Sequence, residues 1–191
     1  MAVLAVLKNS NCISQTAERI SRIVRSLRHV ARESSADEFR ETPVREIVEE
    51  ALELCAERFR AHNIRLAVSA IDPEVVISCR EAQICQALLN LLQNAYDELV
   101  DREGERWVKL DVTCCPGWVG FSVSDSGPGI ALEHRALIME PFFTTKPVGK
   151  GTGLGLSISR SIALQHGGTL ELDEKSPHTC FRLKLPLSQR T

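Results

Sequence analysis

Four short segments between residues 90 and 156 carry residues that could bind a phosphate-bearing ligand. They hold two asparagines one helical turn apart, an aspartate after an apolar run, a Phe-Phe-Thr-Thr-Lys sequence and a loop of alternating glycines. In chain order they are residues 90–95, 125–130, 140–146 and 149–156. Each segment alone could be an ordinary turn or a solvated surface, but their order and spacing favour a nucleotide site.

The first segment lies on a helix that we predict over residues 81–100. Its apolar face consists of Ile84, Leu88, Leu91, Leu92, Ala95 and Leu99, and its polar stripe of Gln83, Gln86, Asn90, Asn94, Asp97 and Asp101. Alone, such a stripe favours a solvated helix face. Beside the other three segments, its asparagine oxygens suit Mg²⁺, a hard cation that takes oxygen ligands and keeps several waters.

The last segment contains Gly149, Gly151, Gly153 and Gly155, and it leads into a second predicted helix. Backbone amides at a helix start can cradle phosphates, and glycines let a loop close over them. A P-loop is excluded because Gly151 follows Lys150, where Ser or Thr is required. A dinucleotide-binding fingerprint is excluded because apolar residues stand where its third glycine would be.

Together the four segments resemble the N, G1, F and G2 boxes of the sensor histidine kinases. Those kinases fall within the wider superfamily of gyrase, heat-shock chaperone, histidine kinase and MutL ATPases. The resemblance covers about residues 43–187. It implies a catalytic domain that binds ATP and Mg²⁺ and transfers the γ-phosphoryl group of ATP to a histidine.

The resemblance also implies roles for individual residues. Asn94 is the principal magnesium ligand with Asn90 assisting it, and Asp97 lies near the phosphates. Asp125 either caps the turn that follows it or, by resemblance, binds the adenine amino group, with Gly127 and Gly129 letting the backbone approach the base. The other implied nucleotide-binding residues are Ile130, Thr145, Lys146, Lys150, Gly151, Thr152, Gly153, Leu154, Gly155 and Leu156.

No catalytic residue is assigned with certainty. Lys146 is either a phosphate contact or a solvated surface lysine, and Lys150 has a weaker claim of the same kind. Phe142 and Phe143 are expected to anchor a mobile loop in the core. In the gyrase and MutL hydrolases the position of Asn90 is a Glu that activates water; a neutral amide cannot take that proton, so fast ATP hydrolysis is not expected.

The N-terminal residues predict a separate helix. Ile13, Ala17, Ile20, Val24, Leu27 and Ala31 recur with heptad spacing. Residues 1–33 resemble the second helix of the histidine-kinase dimerisation hairpin, which implies a homodimer. The arginines on its outer faces are interleaved with acidic residues and lack aromatic neighbours, so we interpret them as solvated and expect no nucleic-acid partner.

The position of the phosphoacceptor departs from the family pattern. That histidine is normally followed by Glu or Asp, and none of the five histidines here is. His29 is interpreted as a solvated bundle residue. We therefore expect a kinase fragment whose partners are a phosphoacceptor helix outside this chain and a response-regulator receiver domain. The alternative is an ATP-binding regulator of a partner kinase or response regulator that does not phosphorylate itself.

The remaining patterns predict the fold class. Residues 34–42 are read as a linker and residues 43–191 as the catalytic domain, whose first helix is capped by Thr42 with Pro43 at its first position. Strands are expected over residues 64–70, 74–77, 107–114, 118–124, 169–172 and 180–185. His166 is expected to end a helix. The prediction is an α/β two-layer sandwich with a mixed sheet and helices on one face, plus an N-terminal coiled-coil-like helix.

Composition is consistent with a cytoplasmic domain. The formal charge is −2, and the seven cysteines form no CxxC pair. The vicinal Cys114 and Cys115 are interpreted as turn residues rather than a redox pair. The apolar N-terminal run is too short to span a bilayer. A membrane anchor in a longer parent protein is compatible with this interpretation.

Overall fold

The computed structural model describes residues 38–147 and 151–187. The predicted N-terminal helix, its dimer contact, most of the predicted linker, Gly149 and Lys150 lie outside these ranges. In chain order the elements are β1 (Arg40–Pro43), α1 (Val44–Ala61), β2 (Arg65–Val68), β3 (Val76–Cys79), α2 (Glu81–Leu99), β4 (Trp107–Cys115), β5 (Trp118–Asp125), α3 (Leu132–Arg135), α4 (Gly155–Gln165), β6 (Thr169–Leu172) and β7 (Cys180–Pro186).

The main sheet has five strands in the order β2-β4-β5-β7-β6. Strand β2 is parallel to β4 and the other neighbours are antiparallel, so the sheet is mixed, as predicted. Helices α1, α2 and α4 pack on it and on one another. This arrangement confirms the two-layer α/β sandwich.

Burial alternates along β5, and its buried side chains extend the core to the candidate site. Val119, Phe121 and Val123 are almost fully buried, and the residues between them are more exposed. Because successive side chains of a strand point to opposite faces, Asp125 continues the buried row. The strand therefore delivers a carboxylate to the helix-covered face of the sheet.

The start of α1 differs from the prediction. Thr42 does not cap it, because residues 40–43 form β1 and pair antiparallel with β3. Pro43 is the N-cap residue without a side-chain cap, and the Val44 N–H donates to the Val75 carbonyl at 2.9 Å. The last residue of the turn before β3 thus satisfies the amide that a capping side chain would have bound. Part of the predicted linker accordingly belongs to this small sheet.

Strand β3 also begins later than predicted. The Glu74 N–H donates to Asp72 Oδ1 at 2.9 Å, and the Val75 N–H donates to the Asp72 carbonyl at 3.2 Å. The turn at Asp72 therefore continues through residue 75, and pairing starts only at Val76.

His166 ends α4, as predicted, and it also joins two helices. Its Nδ1 donates to the Ile162 carbonyl at 2.8 Å, and its Nε2 accepts the Arg80 N–H at 3.0 Å. Arg80 is the N-cap residue of α2. The end of α4 is therefore tied to the start of the helix that carries the two asparagines.

Candidate functional site: a nucleotide cavity

A cavity of about 660 Å³ lies between α2, the start of α4, the end of β5 and the segment of residues 140–147, called here the lid segment. All four sequence segments contribute to its wall. Of the predicted site residues, those that line it are Asn90, Asn94, Asp97, Asp125, Gly129, Ile130, Thr145, Lys146, Gly151, Thr152, Gly153, Gly155 and Leu156. A volume in this range is typical of small-molecule sites.

Two predicted residues lie behind the wall. Leu154 is 5% exposed and belongs to the core. Gly127 does not line the cavity; its N–H donates to Asp125 Oδ1 at 2.8 Å. A Cβ at Gly127 would lie 2.6 Å from that oxygen, so only glycine permits this turn without displacement.

Asp125 lines the cavity and is 4% exposed. Burial raises its pKa to about 6, and the nearby Glu98 charge adds to the rise. The Gly127 amide, the Thr179 hydroxyl and His178 oppose that rise. Asp125 therefore both accepts the turn hydrogen bond and presents a carboxylate to the cavity, so the two interpretations of this residue are compatible.

Asn90 joins α2 to the first turn of α4. Its Nδ2 donates to the Gly155 carbonyl and to Ser159 Oγ, both at 3.2 Å. Its Oδ1 accepts from Gln86 Nε2 at 3.0 Å. The amide thus positions the glycine loop as well as lining the cavity.

Asn94, Asp97 and Lys146 also line the cavity and lie in contact with one another. The Lys146 Nζ lies 2.7 Å from Asp97 Oδ2 and 3.4 Å from Asn94 Oδ1. Two side-chain oxygens therefore converge on one positive charge. Oxygen donors arranged around a cation are what Mg²⁺ requires, so the residues present fit that ion.

The glycine loop packs directly on the lid segment. The Phe142 N–H donates to the Gly153 carbonyl at 2.9 Å. A Cβ on Gly153, whose φ is +68°, would lie 2.4 Å from the Phe142 carbonyl carbon. Phe142 itself is 64% exposed, which corrects the expectation that it anchors the core, whereas Phe143 is half-buried and faces the cavity.

Sequence reasoning missed several cavity residues. Gln93 and Glu98 face the site from α2, and the spacing of four between Gln93 and Asp97 was a usable signal. His134 enters from α3, which had not been predicted. Thr179 had no local signal, since its carbonyl reaches Asp125 only through the pairing beside β5.

The family comparison agrees with this geometry. Residues 79–189 match the family model described as "Histidine kinase-, DNA gyrase B-, and HSP90-like ATPase". The two-component sensor PprA of Pseudomonas aeruginosa is 37% identical over 174 residues, which are 89% of this chain and 19% of that protein. The sensor histidine kinase ZraS of Escherichia coli K12 is 30% identical over 92% of this chain and 37% of its own length.

Solved structures show the same fold. The catalytic domain of the histidine kinase ThkA is 33% identical, with a TM-score of 0.69 over 78% of this chain and 97% of that one. Full-length ShkA in complex with AMPPNP is 27% identical, with a TM-score of 0.75 over 95% of this chain and 38% of that one.

The fold and the cavity define the class as a catalytic ATP-binding domain of the two-component sensor histidine kinase type. The chain belongs to the family of histidine kinase-, DNA gyrase B- and HSP90-like ATPases. It spans between 19% and 37% of the length of PprA and ZraS. Within residues 38–147 and 151–187, no helix has the length and hydropathy needed to cross a membrane.

Proposed function

We propose that the domain binds Mg²⁺–ATP in the cavity and transfers the γ-phosphoryl group to a histidine on a dimerisation helix. The observation that carries the proposal is the polarity of the cavity. A buried carboxylate lines the cavity, and Asn94, Asp97 and Lys146 gather on its wall around contacts that Asp125 does not share. This arrangement suits a ligand with a hydrogen-bond donor on its base and a chain of anionic groups opposite.

Each side chain then has a defined task. The Asp125 carboxylate accepts a hydrogen bond from the adenine amino group, and Asn94 supplies an oxygen to the metal, with Asn90 assisting. Lys146 and the amides at the start of α4 neutralise phosphate charge. Magnesium, when bound, neutralises charge on the β- and γ-phosphates. Catalysis then consists mainly of positioning and charge stabilisation, as is general for phosphoryl transfer.

Asn90 supports transfer to a histidine over transfer to water. Its amide has no proton-accepting function, and its Nδ2 is engaged with Gly155 and Ser159. A side chain that cannot act as a base at this position cannot activate a water molecule. Slow hydrolysis preserves ATP for the acceptor.

The partners follow from the same proposal. A solved complex of ThkA with the response regulator protein TrrA is 27% identical to this chain, with a TM-score of 0.71 over 95% of it and 50% of that chain. We therefore propose a receiver domain as the final phosphoryl acceptor. Homodimerisation through residues 1–33 and a cytoplasmic location remain predictions.

Labelling with γ-labelled ATP tests the function. The whole chain is incubated with Mg²⁺, the labelled nucleotide and a dimerisation hairpin that carries a histidine followed by Glu or Asp. Acid-labile phosphate is expected on the hairpin, with little inorganic phosphate released. Nucleotide binding without any labelled hairpin would favour the regulator, and rapid release of inorganic phosphate would favour a hydrolase.

Asn94→Ala tests the metal assignment. Removal of the amide oxygen is expected to lower ATP affinity about tenfold in the presence of Mg²⁺, because ligand loss costs at least that much at metal sites. Affinity measured calorimetrically in EDTA should change little. Gln165→Ala, at the exposed end of α4, is the control. Equal losses of ATP affinity with and without Mg²⁺ would show that Asn94 is not a metal ligand.

The pH dependence of binding tests Asp125. Its pKa of about 6 means that the carboxylate is ionised above that pH and protonated below it. Because the ionised form accepts the adenine hydrogen bond, affinity should be constant from pH 7 to 8. It should fall toward tenfold per pH unit below about pH 6. The same titration on Asp125→Asn isolates the contribution of the nucleotide's own phosphate, and identical profiles would contradict the assignment.

A further inference from the structure

The ion pair between Lys146 and Asp97 joins the lid segment to α2 at the phosphate end of the cavity. The two side chains are 29% and 25% exposed, so water screens the pair only partly. The Lys146 Nζ also lies 3.4 Å from Asn94 Oδ1. A positive charge from the protein therefore lies beside the oxygens assigned to the metal.

Asp97 is held from behind by a second row of side chains. Its Oδ1 accepts from Gln93 Nε2, and Gln93 Oε1 accepts from Arg58 Nη1. The Arg58 guanidinium lies 3.9 Å above the centre of the Tyr96 ring. These contacts orient the carboxylate so that its other oxygen, Oδ2, faces Lys146. The pair is therefore built into the α1–α2 surface.

Charge balance decides what this pair can do. An unpaired Asp97 would repel the phosphates of a nucleotide, and an unpaired Lys146 would attract them. While the two are paired, Lys146 cannot give its full charge to a phosphate. Entry of Mg²⁺ and phosphates would replace one cation at this position by another, which requires Lys146 to change partners.

We propose that Lys146 is the resident cation of the nucleotide-free site, and that Asp97 holds it there so that the lid segment rests across the phosphate end. The proposal rests on the assignment of this cavity to Mg²⁺–ATP. Binding would break the pair, transfer Lys146 to the phosphates and release the Asp97 carboxylate from its present partner. Asp97 is in this sense a positioning residue, because it acts through Lys146.

The first test needs no nucleotide. Hydrogen exchange is measured on a peptide containing Phe142, Phe143 and Lys146, whose amides donate to Gly153, Glu140 and Thr144. Asp97→Asn and Lys146→Met should each raise exchange about fivefold, the factor expected for losing one partly screened ion pair. The double variant should exchange no faster than either single one.

Glu171→Gln is the matched control. It breaks the exposed pair with Lys184 on β6 and β7, away from the lid segment, and it should leave the peptide unchanged. Wild-type protection in Asp97→Asn, or additive effects in the double variant, would overturn the proposal. A chain that bound no ATP would overturn the assigned function. The hydrogen-exchange measurement, which uses no nucleotide, would still show whether the Lys146–Asp97 ion pair protects the lid segment.

The second test uses ATP in EDTA. Asp97→Asn should bind it several-fold more tightly than wild type, because a repelling carboxylate is gone and Lys146 is free for the phosphates. Lys146→Met should bind it more weakly. Weaker binding by Asp97→Asn would mean that Asp97 contacts the nucleotide favourably and would reject the exchange of partners.

Discussion

Asp125→Asn is expected to lower ATP affinity about 100-fold, because a hydrogen bond to a buried charged acceptor contributes roughly 1.5–3 kcal/mol. The substituted amide places an N–H₂ group where an acceptor is needed. Either the Gly127 N–H or the adenine amino group then faces another donor. Isothermal titration at pH 8, where the wild-type carboxylate is ionised, measures the full effect.

The stability of the same variant separates lost binding from lost folding. Folding raises the pKa of Asp125 from 3.8 to about 6, so the ionised form is destabilised by burial. That penalty is fully present above pH 6 and is relieved as the pH falls toward 4. Asp125→Asn removes the charge, and its thermal midpoint at pH 8 should be no lower than that of wild type.

Asp111→Asn provides the control for this pair of measurements. Asp111 lies on β4 beside β5 and pairs with Lys109 at 2.9 Å, outside the residues that line the cavity. Its substitution should change neither affinity nor midpoint appreciably. Unchanged ATP affinity in Asp125→Asn would show that the base does not bind at this end of the cavity.

Gly168→Ala is expected to destabilise the domain by about 3 kcal/mol, the upper part of the usual range for forcing extra volume into a packed site. A Cβ at this position would lie 2.0 Å from the Lys184 carbonyl oxygen and 2.8 Å from Leu185 Cδ2. The first of these is backbone of β7, which is paired with β6 and β5 and has little room to move. The turn after α4 would have to open.

Urea unfolding measures this effect through the transition midpoint at a constant slope. Gly155→Ala is the matched control, since its Cβ would meet only Asn90 atoms at 3.8 Å and it stands at the first position of α4. Its stability should change by no more than about 1 kcal/mol, and alanine favours the helix. Equal midpoints for the two variants would mean that the backbone of β7 near Lys184 moves away from the new Cβ at little cost in stability.

Prediction from sequence succeeded where the signal was local and periodic. The two asparagines were placed on one helix by its 3.6-residue period, and α2 begins at the predicted Glu81. Asp125 was placed at the end of a strand by the apolar run before it, and β5 ends there. The bounds of β6 agree with the prediction because a helix-ending His-Gly-Gly sequence precedes it.

Prediction failed where a partner distant in sequence decided the outcome. The local sequence around Thr42 predicts a helix cap, but pairing with β3 makes Thr42 part of a strand. Thr179 reads as an ordinary residue until sheet pairing places it beside Asp125. The local sequence does not distinguish a surface lysine from a phosphate contact at Lys146, and its partner Asp97, with Oδ2 at 2.7 Å, lies 49 residues earlier in the chain.

The sequence by itself therefore determined the class of protein, most of the helices and strands, and most of the residues around the nucleotide cavity. It could do so because side-chain periodicity and the four ordered segments are properties of neighbouring residues. Only the tertiary structure decided which oxygens face the Lys146 ammonium, which amide donates to Asp125, and which lysine pairs with Asp97. Those features depend on distances between elements, which sequence separation does not specify. Distance matters most for the charged pairs, because the interaction energy of two charges varies inversely with their separation.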